Sequence, residues 1–234
     1  MGNEKILHCT TSESVEQEQE KLEEERARSE WNLSLTTVVS SSSTGARSDT
    51  LGVIEFDPSD TVVATGGIAR KIRIYSSSSL LPNGEYDHIA LLDHDSACDY
   101  YVCTPAKLSN LRWKPNSSGR VLGSGDYDGV VTEYDLEIKI PVFERDEHGG
   151  SRVWSMDYSH CDPVVGASGS DDGTLQMWDT RCDGSQSFAM VRPGVTCSSV
   201  CCVEFDPFGD ALVVVGCANR KVYGMISGKW LTRF

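Results

Sequence analysis

His148 and Asp172 are the residues best suited by type to proton chemistry, since an imidazole and a carboxylate form the base and its orienting partner in hydrolytic triads. No Gly-x-Ser-x-Gly turn accompanies them to present a nucleophile, so a hydrolase reading would rest on these two groups alone. Soft metal ligands cluster twice, as His94, Cys98 and Cys103 and as Cys197, Cys201 and Cys202. Neither group has a second ligand pair at zinc spacing, and none of the nine cysteines forms a Cys-x-x-Cys pair. No metal and no cofactor are expected. The string Asp126-Tyr127-Asp128-Gly129 begins like a calcium loop but lacks the downstream ligands, and Asp-Gly reads better as a hairpin turn. With no Walker loop, no dinucleotide-binding glycine triplet and no His-Glu-x-x-His, the chain is not expected to be an enzyme.

Composition points to a protein partner. The 234 residues are 39% hydrophobic and carry 21 basic against 35 acidic side chains, a formal charge of −14. Such a surface repels nucleic acid and anionic lipid. No apolar run is long enough for a membrane helix and the N-terminus does not read as a signal peptide, so an intracellular chain with reduced thiols is expected. Residues 1–49 stand apart as an acidic, Ser-rich tail: the first fifty residues hold nine Glu and one Asp against five basic side chains. They are expected to be largely disordered or weakly helical, with helix formers but almost no apolar face between Glu13 and Arg28.

From Leu51 onward the chain repeats itself. Four segments align, beginning at Leu51, Leu108, Ser151 and Val200, and their central glycines are Gly66, Gly125, Gly169 and Gly216, at steps of 59, 44 and 47 residues. Each segment reads as an alternating strand ending in an aromatic or Met, a turn, a short apolar strand, a Gly-centred turn and a third alternating strand. Such spacing, with Trp178-Asp179 closing a strand, marks a WD-repeat β-propeller. The fold expected is therefore all-β: about four blades of an incomplete WD propeller over residues 50–227, the acidic tail before them and a non-repeat tail at 228–234. In the third repeat, the best formed, His148, Ser168, Asp172 and Trp178 are expected to share one hydrogen-bond network, which gives the His–Asp pair a structural role.

Specific strings carry a closer likeness. EFDPSDTVVATGGIARKIRIY, CTPAKLSNLRWKPNSSGRVLGSGDYDGVVTEYD, ERDEHGGSRVWSMDY, GASGSDDGTLQMWDTR and VEFDPFGDALVVVGCA resemble the plant repressors of UV-B photomorphogenesis over about Thr50 to Arg220. These are WD-repeat proteins related to the propeller of the constitutively photomorphogenic ubiquitin ligase. The resemblance implies a negative regulator of UV-B signalling, in nucleus and cytoplasm, that binds the UV-B photoreceptor and promotes its reversion to the inactive dimer. It also implies a pocket for Val-Pro peptide motifs, which carries over residue by residue to Lys107, Tyr127, Arg152 and Trp154. Two aromatic rings would take the apolar Val-Pro unit while Lys and Arg attract acidic flanks. Read from the residues alone, Trp154 also suits an inward strand position and Lys107 and Arg152 solvated rim charges.

The alternative is a generic substrate receptor of a cullin-based ubiquitin ligase, reached through Trp178, Asp179 and Arg181 of a Trp-Asp-x-Arg motif, with Arg181 touching the adaptor. The photomorphogenic ligase itself is a further candidate partner. A propeller of this family closes with seven blades, whereas four repeats are legible here and Val222 onward leaves the pattern at Gly224. A shortened form with unpaired edges, lacking the opposite wall of the peptide pocket, is the expectation.

Overall fold

The structure is a computed structural model that describes residues 35–41, 49–81, 89–182, 189–194, 198–208, 212–226 and 229–233, together with Gln19, Lys21, Leu22 and Arg26. Its elements are almost all strands, because the chain supplies short runs of β-branched and aromatic residues broken by Asp, Gly, Ser and Pro turns. In order they are β1 (Thr37–Ser40), β2 (Leu51–Phe56), β3 (Val62–Gly67), β4 (Lys71–Ser76), the one-turn α1 (Ser77–Leu80), β5 (Ala90–Asp93), the one-turn α2 (His94–Ala97) and β6 (Tyr100–Cys103). There follow β7 (Leu108–Trp113), β8 (Val121–Asp126), β9 (Val131–Asp135), β10 (Ile140–Arg145), β11 (Val153–Tyr158), β12 (Val165–Ser170), β13 (Leu175–Asp179) and β14 (Ala189–Val191). The last are β15 (Val200–Phe205), β16 (Leu212–Cys217), β17 (Lys221–Ile226) and β18 (Lys229–Arg233).

They form four antiparallel sheets of four strands each, β2-β3-β4-β6, β7-β8-β9-β10, β11-β12-β13-β14 and β15-β16-β17-β18. The partial WD propeller expected from the repeats is thus present as four blades. Each repeat was legible as three strands, and the structure adds an outer fourth. That strand lies beyond connections of varied length and alternates poorly, as β10 does with most of its side chains exposed. The last blade also departs from the sequence reading. β17 runs through Gly224, paired with Val214, and Lys229–Arg233 pairs antiparallel to it as β18, because backbone ladder bonds do not require the missing side chains.

Tight turns explain the hairpins. Asp57 accepts hydrogen bonds from the N–H groups of Thr61 (2.8 Å) and Val62 (2.7 Å), folding β2 back onto β3. Gly129 and Gly173 sit at φ +89° and +75° in the turns after β8 and β12, a left-handed backbone that L side chains resist.

The blades meet through their inner strands, β2 against β7, β7 against β11 and β11 against β15. Leu108 and Leu111 stand over Gly66, Val153 over Gly125, and Val200 and Val203 over Gly169, where an added Cβ would come within 3.0 Å of the next blade. Small residues in the second strand therefore let the next inner strand approach. Arg112 of β7 pairs with Glu55 of β2 (3.1 Å), Asp157 of β11 (3.3 Å) and Glu204 of β15 (2.5 Å), so one cation joins all four inner strands. Burial lowers its pKa, but the three carboxylates outweigh that and leave it raised.

Part of the acidic N-terminal segment belongs to this body. β1 pairs in parallel with β5, and Val39 packs with Leu92 on Val63 and Tyr75. Asp49 then meets the buried Arg73 through two bonds of 3.0 and 2.6 Å. Gln19, Lys21, Leu22 and Arg26 are helical, Leu35, Thr36 and Ser41 flank β1 without regular structure, and the rest of the expected tail lies outside the described residues.

A candidate peptide-recognition face

At the start of each inner strand, one carbonyl accepts the N–H of the turn that follows the second strand. Thr50 takes Ile68 (3.2 Å), Lys107 takes Tyr127 (2.9 Å), Arg152 takes Asp171 (3.0 Å) and Ser199 takes Ala218 (3.0 Å). This repeated bond brings two short segments of each blade to one edge of its sheet, and it places the four residues singled out from the sequence. Lys107 precedes β7, Tyr127 follows β8, Arg152 precedes β11 and Trp154 is the second residue of β11.

The four are in contact. The Arg152 guanidinium lies over the Tyr127 ring at 3.9 Å and over the Trp154 ring at 4.5 Å, and Lys107 Nζ lies 6.0 Å from the Tyr127 centroid. Trp154 is 37% exposed and its indole Nε1 donates to Asp171 Oδ1 at 2.6 Å. Trp154 is thus a surface residue despite its strand position, because the bulge between Val153 and Ser155 shifts the register there. The rings face this chain's own guanidinium, which adds a positive charge to an apolar surface. Asp171 was missed from sequence, although its place in the repeat alignment matches that of Tyr127.

Trp178, Asp179 and Arg181 lie at and just beyond the end of β13. Arg181 is exposed, yet its Nε and Nη2 both bond Asp179 (2.9 and 2.5 Å) and Nη2 lies 3.4 Å from Asp162. These bonds hold the Asp179 carboxyl down to about 2. Trp178 is 1% exposed and packs its indole on Gly166.

The expected network of the third repeat is present in part. His148 Nδ1 meets Asp172 Oδ2 at 2.9 Å and Nε2 meets Ser168 Oγ at 2.7 Å. Thr174 adds a bond to Asp172 (2.7 Å), and Gln176 reaches the Glu147 carbonyl (3.0 Å). Burial raises the Asp172 carboxyl, but bonds from His148 and Thr174 outweigh it and leave its pKa lowered. Trp178 does not join: its Nε1 is buried without a hydrogen-bond partner among the described residues. The register explains this correction, since Gln176 pairs opposite Ser168 and Trp178 falls opposite Gly166. Ser168, His148 and Asp172 have the connectivity of a hydrolytic triad, but Ser168 is 2% exposed, so its hydroxyl is not presented at the surface. Of the two soft-ligand groups, Cys197 lies outside the described residues. Among the described residues, no group of three metal-binding side chains converges.

The WD domain, G-beta repeat family matches residues 139–179, which span β10 through β13. The sequence repeat is therefore offset from the sheet by one strand, taking the outer strand of one blade with the inner three of the next. WD repeat-containing protein RUP2 of Arabidopsis thaliana is 61% identical over 181 residues, covering 75% of this chain and 49% of that protein. Its relative RUP1, from the same plant, is 58% identical over 197 residues, with 84% and 48% covered. E3 ubiquitin-protein ligase COP1 of Pisum sativum is 29% identical over 170 residues, 73% of this chain and 23% of the ligase. The chain spans about half the length of RUP1 and RUP2. With four blades in place and identity of this order across three quarters or more of its residues, it is a WD-repeat chain and a close homologue of RUP1 and RUP2.

Proposed function

We propose that this chain is a protein-interaction module of UV-B signalling in nucleus and cytoplasm, and that it binds the UV-B photoreceptor and favours the photoreceptor's return to its inactive dimer. The observation that supports this reading is the convergence of Lys107, Tyr127, Arg152 and Trp154 at one edge of two neighbouring blades, in a close homologue of RUP1 and RUP2. A net charge of −14 would repel an acidic peptide, whereas this corner offers two cations beside an exposed indole. In this reading the acidic flank of a Val-Pro peptide meets Arg152 and Lys107, and the apolar unit lies on Trp154.

A second reading, as a substrate receptor that meets a cullin-ligase adaptor, rests on the exposure of Arg181. Its guanidinium would have to exchange Asp179 and Asp162 for a group on the adaptor. Titration of a fluorescent Val-Pro peptide and of the adaptor against Trp154→Ala and Arg181→Ala separates the two. Trp154→Ala is expected to weaken the peptide by roughly 2 kcal/mol, as aromatic anchors do. Arg181→Ala should leave the peptide unchanged and reduce adaptor capture. Unchanged peptide binding by Trp154→Ala would overturn the site assignment.

A further inference from the structure

Several cations of the blades are held by carboxylates, Arg73 by Asp49, Lys114 by Glu133, Arg120 by Asp135 and Arg181 by Asp179. Arg70, Lys71, Lys107 and Arg152 meet no carboxylate among the described residues, in a chain whose net charge is −14. All four lie at the edge where the inner strands begin. Arg70 is in the turn between β3 and β4, Lys71 opens β4, and Lys107 and Arg152 precede β7 and β11. The next two blades have glycine at the place of Arg70, Gly129 and Gly173 at φ +89° and +75°, whereas Arg70 itself stands at +56°. Blade 1 thus keeps a long cation in a backbone conformation that favours glycine.

A continuous run of chain joins Arg70 and Lys71 to the corner formed by Lys107, Tyr127, Arg152 and Trp154. Lys71 Nζ lies 4.3 Å from the centroid of the Tyr101 ring, which is 51% exposed, so a second pairing of cation and aromatic stands at the rim of blade 1. Lys71 is opposite Cys103, the last residue of β6, and the Arg70 carbonyl accepts the Thr104 N–H at 3.0 Å. The buried Thr104 hydroxyl donates to the carbonyl of the buried Ala106 at 2.9 Å, and Lys107 follows directly. These bonds pin the connection between β6 and β7 and fix the spacing of the two corners. The path from Lys71 across to Cys103 and along to Lys107 is at most about 20 Å, which roughly six residues of extended peptide cover.

We propose that the recognition edge continues over blade 1 as a second subsite, where Arg70 and Lys71, beside Tyr101, take an acidic stretch of the same partner whose Val-Pro unit lies on Trp154. The inference rests on the Val-Pro reading for its partner and on charge complementarity for its occupant. Four cations without carboxylates on one edge of an acidic protein attract an acidic segment there, while the rest of the surface repels it. That contrast orients the partner as it approaches and fixes its register along the edge. The exposed Tyr101 ring gives the aliphatic stems of Glu side chains an apolar surface beside the Lys71 ammonium.

The test titrates the full chain with a fluorescent Val-Pro peptide, bare or extended at either end by six Glu or, as the neutral control, by six Gln. One of the two Glu extensions is expected to bind wild type roughly fivefold more tightly than its Gln counterpart at low salt, and the gain should vanish as salt is added. Arg70→Asn with Lys71→Gln, Asn being tolerated in the left-handed conformation, should abolish that gain and leave the bare peptide unchanged. Trp154→Ala should weaken bare and extended peptides alike. Lys71→Glu should bind a peptide extended by six Lys more tightly than wild type does. No gain from either Glu extension, or a gain that survives in the double variant, overturns the subsite and leaves the Val-Pro reading standing. Extended peptides that bind through Arg70 and Lys71 while the bare peptide does not bind uphold the subsite and overturn the Val-Pro reading.

Discussion

Gly169 and Gly216 occupy the same place in two repeats, yet they answer to different neighbours. A methyl on Gly169 would run into Val200 and Val203 of the next blade, so Gly169→Ala should cost about 1–3 kcal/mol through overpacking. Among the described residues a methyl on Gly216 meets ordinary contact only, so Gly216→Ala should be neutral or stabilising by roughly 0.4–1 kcal/mol through the unfolded chain. Urea midpoints of the two variants check both. Lys114 and Glu133 form a second residue-scale case: their side chains are 15% and 4% exposed and lie 2.9 Å apart. Lys114→Met leaves that carboxylate buried without its cation, an expected loss of about 3–5 kcal/mol, and Glu133→Gln in the same chain should recover much of it.

At the scale of the element, the turn between β12 and β13 is held by Asp172, which accepts from His148, from the Thr174 hydroxyl and from the Thr174 N–H (2.7 Å). Asp172→Ala should therefore cost about 1–3 kcal/mol at neutral pH. The sign with pH follows from a carboxyl whose folded pKa is lowered from the ordinary 3.8: its contribution is present above that value and disappears as pH falls through the lowered one. The stability gap between Asp172→Ala and wild type should hold from neutral pH down to about 4 and close below it. Denaturant titrations across that range read it directly.

The whole molecule is joined through contacts that skip along the sequence. Arg112 reaches Glu55 and Glu204 as well as Asp157, whose other oxygen accepts the Phe205 N–H at 2.7 Å. Arg112→Met should cost about 2–3 kcal/mol, mainly by leaving the buried Asp157 without its cation, since the half-exposed Glu204 pair contributes little. Because the blades pack mainly on their neighbours among the described residues, with this cluster reaching further, the same variant should broaden the thermal transition. Calorimetry checks it: a van't Hoff enthalpy falling below the calorimetric one is the expected sign, and an equally sharp melt would show the joints alone make the blades cooperative.

Periodicity is written into the chain, and so the inner three strands of each blade were legible from it. An inner strand alternates because one face is buried, and Gly66, Gly125, Gly169 and Gly216 recur because the next blade must approach closely. The outer strands β6, β10, β14 and β18 and the parallel pair β1 and β5 were not legible, since exposed edges select few residue types and a pairing across some fifty residues leaves no local pattern. The identities of Lys107, Tyr127, Arg152 and Trp154 came from their motifs. Tertiary structure decided that Arg152 lies over both rings, that a bulge turns Trp154 outward, and that Gln176 stands opposite Ser168 where an indole was expected. The sequence by itself determined which residues sit at equivalent places in each blade, because a repeat imposes the same burial on the same position. Only the tertiary structure decided which of those places are filled, because the burial of Leu108, Val153 and Val200 and the exposure of Leu51 depend on whether another blade stands alongside.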